Sequence, residues 1–256
     1  MVLSRRNSMS LIETNQGDVE ILSNNFIDKK LERLFFPLNL MQNLVLNPKY
    51  IIKQNRIKPN DVFNKFKIFL SMVIFLAVFA YRLCEVIFDE NLRRYGSVKF
   101  LYFEIYSECF VYCTRSVVNC IVNLVQSKNF VAFVLTYQEI HRILTYEHMI
   151  KFYIIRNWVY FSIVFGYYII VLVLIPLIFE RWAFHFDINV FTYIILDANL
   201  IYTIALLKHL NDKVKQWNIE VVRSPHRICS ERMFQVYVQI FECYEIYKNV
   251  VQENVS

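Results

Sequence analysis

VYFSIVFGYYIIVLVLIPLIF, residues 159–179, runs for 21 residues without a charge. A helix rises about 1.5 Å per residue, so about 20 residues cross the roughly 30 Å of hydrocarbon in a bilayer. This run makes the chain an integral membrane protein. Three further stretches, 66–88, 98–125 and 188–207, are long and apolar enough to do the same. With the first, extended to 158–179, they predict an all-α fold, a polytopic membrane helix bundle of four transmembrane helices with cytoplasmic helical extensions. The stretch 98–125 is the weakest of the four. It holds Glu104, Glu108 and Arg115, which must face protein or water rather than lipid.

Composition agrees with long helices. Of 256 residues 56% are hydrophobic, and the only three glycines are Gly17, Gly96 and Gly166, too few for the frequent chain reversals of a soluble fold. The abundance of Phe and Tyr suits helices that meet lipid headgroups and pack on one another. The net charge of +6 is spread between apolar spans rather than gathered on one face, so no nucleic-acid partner is expected. The cysteines Cys84, Cys109, Cys113, Cys120, Cys229 and Cys243 form no CxxC pair, and Cys109 and Cys113, one helical turn apart, read as small packing residues. No metal site or cofactor is expected. His141 and His148, seven residues apart between the second and third spans, lack surrounding carboxylates or cysteines and read as solvated interface histidines.

The chain divides into four parts. Residues 1–25 are polar, rich in Ser and Asn, and predict a disordered cytoplasmic N-terminus with no cleaved signal peptide. Residues 26–65 form a cytoplasmic or interfacial segment. Its apolar positions Leu31, Leu34, Phe35, Leu38, Met41, Leu44 and Val45 have helical spacing interrupted by Pro37, and the segment is expected on the membrane surface with Lys29, Lys30 and Arg33 toward headgroups. Residues 66–208 hold the four-helix bundle, and 209–256 a cytoplasmic tail. In the tail a helix is expected from an N-cap at Ser230, with an apolar stripe at Phe234, Tyr237, Phe241, Tyr244, Tyr247 and Val251.

Orientation follows from the basic residues. Counting Lys67 at the mouth of the first span, 22 Lys and Arg fall on the side of the two termini, against Arg93, Arg94, Lys99 and Arg181 on the other. Both termini are expected in the cytoplasm. Inside the spans, Arg82 and Glu85 are placed to neutralise each other at i, i+3. Asp197, near the middle of the fourth span, has no cation within a turn. It needs a partner from another helix, with Tyr106, Tyr112 or Tyr168 the candidates, and serves either as a structural interhelical bond or as a pocket group.

Enzymatic signatures are lacking: no glycine-rich phosphate loop, no G-x-S-x-G and no H-E-x-x-H, so an enzyme is not expected. Two longer stretches carry a resemblance. LERLFFPLNLMQNLVLNPKYIIKQNRIKPN, residues 31–60, resembles the segment before the first membrane helix of moth and butterfly gustatory receptors, chiefly the bitter-type branch, through Pro37-Leu38, Pro48-Lys49-Tyr50 and Pro59-Asn60. LDANLIYTIALLKHLNDKVKQWN, residues 196–218, is similar to the family's fourth helix running into a cytoplasmic extension. The likeness covers the chain from about residue 26 onward.

The resemblance implies a plasma-membrane chemoreceptor with seven membrane helices and a cytoplasmic N-terminus, a subunit of a tetrameric ligand-gated cation channel that detects bitter plant compounds. It implies small-molecule tastants and full-length receptor subunits, in homo- or hetero-tetramers, as partners, and a tail helix that contributes to an anchor region where subunits meet. The family's Thr-Tyr to Gln-Phe signature in the pore helix is not found here, so a partial or truncated chain that does not conduct alone is expected. The family's ligand cleft, in the outer half of the bundle, corresponds here to Tyr102, Phe103 and Tyr106, to Leu172 and Phe179, and to Phe191, Thr192, Ile195 and Asp197. Two other readings are an insect odorant receptor fragment and a four-helix transporter or assembly subunit.

Overall fold

The computed structural model describes residues 25–88, 98–144, 147–179, 184–223 and 227–252. The N-terminal stretch expected to be disordered lies outside the described residues, as do the side chains of Arg82, Glu85, Glu104, His148, Cys229 and Ser230. Among the described residues the chain forms seven helices and one hairpin: α1 (Lys29–Leu44), β1 (Ile51–Lys53), β2 (Arg56–Lys58), α2 (Val62–Phe88), α3 (Val98–Val125), α4 (Ser127–Ile143), α5 (Glu147–Phe179), α6 (Phe184–Arg223) and α7 (Arg227–Gln252).

Four helices, α2, α3, α5 and α6, are long and apolar enough to cross a membrane. The two latter are longer than a bilayer needs. At about 1.5 Å per residue, the 33 residues of α5 and the 40 of α6 reach about 50 and 60 Å, against roughly 30 Å of hydrocarbon. Half of the α6 span is buried, against about a fifth for each of the others, so α6 is the central post of the bundle.

α1 buries its apolar stripe within the protein. Leu31, Leu34, Phe35, Leu38 and Met41 are at most 1% exposed, because they pack on α5 and α6, while Lys29, Lys30 and Arg33 are exposed. Pro37 sits inside the helix and removes the N–H that would bond the carbonyl four residues back. In the same turn the Leu34 carbonyl accepts from the Asn157 side chain at 2.8 Å, which ties the interrupted turn to α5. The Gln42 side chain then donates to the Ala198 carbonyl of α6 at 2.9 Å.

The hairpin closes through Gln54 and Asn55, both with positive φ, the geometry of a two-residue turn that follows the natural strand twist. It is a small addition to the helical class. α4 follows α3 after the single residue Gln126 and is buried almost throughout from Phe130 to Ile140, between α1, α6 and α7. A helix covered on all sides carries apolar residues all round.

α7 starts at Arg227, three residues before the expected cap. Its stripe Met233, Val236, Ile240, Cys243, Tyr247 and Val250 packs on α4 and α6. The stripe read from the sequence is mostly a different face, for Phe234, Tyr237, Phe241 and Tyr244 are all exposed. This helix therefore has two apolar faces, and the fold uses one of them.

Candidate functional site

Asp197 lies between Leu196 and Ala198, both buried, and the 100° step per residue along a helix brings its own side chain out to the edge of that face. It is exposed rather than turned wholly into the bundle. It is partnered all the same: the buried Tyr168 of α5 donates its hydroxyl to the carboxylate at 2.5 Å. A hydroxyl bonded to an ionised oxygen is a short, strong pair, and the carboxylate keeps further accepting capacity on its open side.

One turn earlier on α6, Tyr193 meets Tyr112 of α3 edge-on with ring centroids 5.3 Å apart. Tyr112 continues to Phe79 and Phe75 of α2 at 6.0 and 4.8 Å. This aromatic ladder holds the apolar ends of three helices together around a small core of Phe75, Phe79, Cys109 and Leu196. Cys109 and Cys113 face each other within it, their sulfurs 3.8 Å apart and free.

The other residues expected to line a ligand cleft are dispersed. Ile195 is buried in the main core, while Phe103, Tyr106 and Leu172 are on the surface of the bundle. The side chains of Tyr102, Phe179, Phe191 and Thr192 lie outside the described residues. None of the five whose side chains are described, Phe103, Tyr106, Leu172, Ile195 and Asp197, lines the larger cleft that the structure contains.

That cleft, of about 600 Å³, lies between α3, α4, α6 and α7 and is mostly apolar, with Phe110, Val118, Leu200 and Leu206 on its walls. Its polar end is built by the loop after α1. Leu46 turns the chain at a φ of 56°, and Asn60 donates to the Pro48 carbonyl at 2.7 Å, which fixes the loop. Lys49 then reaches inward, 5% exposed, and donates to Asn123 Oδ1 at 2.6 Å. Asn123 in turn donates to Asn47, and Asn47 to Asn199 Oδ1 at 2.9 Å, so one polar chain joins the loop to α3 and α6. Burial pushes the Lys49 ammonium down to about 7.

A second polar cluster knots the far end of the bundle. Arg156 of α5 pairs with Asp212 of α6 at 2.6 Å and donates to His209 Nδ1 at 3.0 Å. Arginine can only donate, so His209 Nδ1 is the acceptor and its Nε2–H donates to Asn157 Oδ1 at 3.1 Å, the orientation that leaves the Asn157 amide for α1. Lys213 spends all three of its protons, on His141 Nδ1, the Leu144 carbonyl and Gln216 Oε1, at 2.9 to 3.1 Å. Burial, with the Lys213 ammonium adding to it, pushes His141 down to about 4. His141 is thus a structural acceptor at the end of α4, while His148 belongs to α5, so the two share no helix face.

This cluster and Lys49 escaped sequence reading because their partners lie 50 to 160 residues away. The signal available was Lys49 within Pro-Lys-Tyr, a cation inside an otherwise apolar stretch. Among the described residues no group of three His, Cys, Asp or Glu could hold a metal ion. Comparison of the chain with known protein families, with curated proteins and with solved structures found no match.

Proposed function

We propose that the chain is a chemoreceptor subunit of the insect gustatory kind, which takes up small apolar or cationic plant compounds within its helix bundle and belongs to a ligand-gated cation channel. The observation that carries the reading is Asp197. A carboxylate within a helix long and apolar enough to cross a membrane, held by one tyrosine and open on its other side, beside an aromatic pair, suits an organic cation that stacks on a ring. The order of elements supports the same reading. The fourth spanning helix runs on well past membrane thickness and packs on α7, as the sequence likeness implies for this family.

On this reading both termini are cytoplasmic, the chain resides in the plasma membrane, and the extended ends of α5 and α6 with α4 and α7 lie inside the cell. The exposed face of α7, with Phe234, Tyr237, Phe241 and Tyr244, meets other receptor subunits in a homo- or hetero-tetramer.

Calcium imaging of cells that express the full-length receptor tests this. Asp197→Asn should weaken responses to cationic tastants while sparing neutral ones. Equal loss for both classes, or no response to any tastant in the parent receptor, would count against it.

A further inference from the structure

We propose that the cleft between α3, α4, α6 and α7 is a binding site for an apolar molecule ending in one anionic group, a carboxylate or a phosphate, with the Lys49 ammonium as its receptor. The ammonium has three protons, and Asn123 Oδ1 takes one of them. Its other neighbours are ring faces, Phe130 at 5.3 Å and Tyr202 at 5.9 Å from the ring centres, and both rings line the cleft with it. Among the described residues no carboxylate pairs with Lys49.

A buried cation without a counter-ion is costly, and a ring face compensates only a part of that cost. The structure nevertheless fixes this one in place through the chain of Asn123, Asn47 and Asn199. The rest of the lining indicates what would complete it. Arg115 is a second cation on the α3 wall, Asn119 and Thr203 add polar atoms, and among the described residues no acidic side chain lines the cleft. An organic cation is therefore repelled. A neutral molecule leaves the ammonium uncompensated. The rest of the lining is apolar, with Phe110, Val111, Val118 and Val122 spread along α3 over a rise of about 18 Å and Phe133, Leu200 and Leu206 on the other helices, which fits an elongated hydrocarbon body with its charged end at Lys49. The inference stands on the cleft alone and not on the chemoreceptor reading, whose carboxylate Asp197 is not among the cleft's lining residues.

The test uses the full chain purified in a non-ionic maltoside detergent, with radiolabelled oleate as probe and methyl oleate as its neutral counterpart. Oleate should bind at one saturable site, at least about tenfold more tightly than methyl oleate, the difference that one charge-assisted hydrogen bond makes. Lys49→Met should remove that preference and leave methyl oleate binding unchanged. Leu200→Trp, which fills the cleft from an exposed position, should abolish both, with thermal melting in detergent as the check that each variant folds. Dioleoyl phosphatidic acid separates the two sources: displacement of oleate assigns the site to a lipid phosphate as well, and failure to displace it restricts the site to a free carboxylate. Equal affinity for oleate and methyl oleate overturns the proposal. So does oleate binding that persists in Leu200→Trp, which decides the matter even if Lys49→Met does not fold.

Discussion

Two carboxylates fifteen residues apart on α6 are held in opposite ways. Asp212 is 14% exposed, pairs with Arg156 at 2.6 Å, and belongs to a cluster in which His209, Asn157, Lys213 and Gln216 satisfy one another. Asp197 is exposed, and among the described residues it has one hydrogen-bond partner, Tyr168. This network, in which the buried Arg156 Nε alone of the cluster's side-chain donors lacks a partner, fixes the packing of four helices. A carboxylate with one tyrosine and an open side has capacity to spare. The Asp212 stretch of α6 is a structural knot, whereas Asp197 keeps accepting capacity on its exposed side.

The difference is sharpest on removing the charge. Asp212→Leu strands Arg156 as a half-compensated buried cation and should destabilise the detergent-solubilised chain by about 3–5 kcal/mol. Asp197→Leu leaves only the Tyr168 hydroxyl without its acceptor and should cost about 1–3 kcal/mol. Thermal or denaturant unfolding followed by tryptophan fluorescence reads both, and equal losses would break the comparison. Asp197→Asn keeps an acceptor for Tyr168 and should fall within about 1 kcal/mol of the parent.

The smallest effect expected is in the pH response of the structural end. The folded state holds His141 near 4, below its ordinary 6.5, so the unfolded chain takes up the proton first. The stability this histidine contributes is present above pH 6.5 and is lost as pH falls toward 4. Between pH 7 and 6 the unfolding midpoint should already slope downward, and His141→Gln should flatten that slope. A variant that keeps the parent's slope would assign the effect to another group.

The membrane-spanning part of the fold was legible because lipid imposes a one-dimensional rule. The expected spans 66–88, 98–125, 158–179 and 188–207 each fall within one helix, α2, α3, α5 and α6 in turn. Elements buried by other helices follow no such rule. α4, with Lys128, Glu139 and Arg142 among its apolar residues, is too polar for a span and stays unassigned in sequence between the second and third, yet α3, α6 and α7 pack on it. The same blindness chose the wrong face of α7 and did not foresee that α5 and α6 cover the stripe of α1, since an amphipathic stripe states that something covers it and not what. Asp197 was legible as a group in need of a partner from another helix because no cation on its own helix lies within a turn. The Lys49 end of the cleft was not, because Asn123 and the rings of Phe130 and Tyr202 reach it only through the tertiary fold.

The measurement that tests the account most directly is a topology assay on the full chain in microsomes. A glycosylation sequon in an extended loop placed between Phe88 and Val98, and a second in a C-terminal tag, report which side of the membrane each occupies. Modification of the loop and not of the tag is the expected result, placing the Asp212 end of α6 in the cytoplasm with both termini. Modification of the tag with an unmodified loop would contradict it, and the chemoreceptor reading would fall with the orientation.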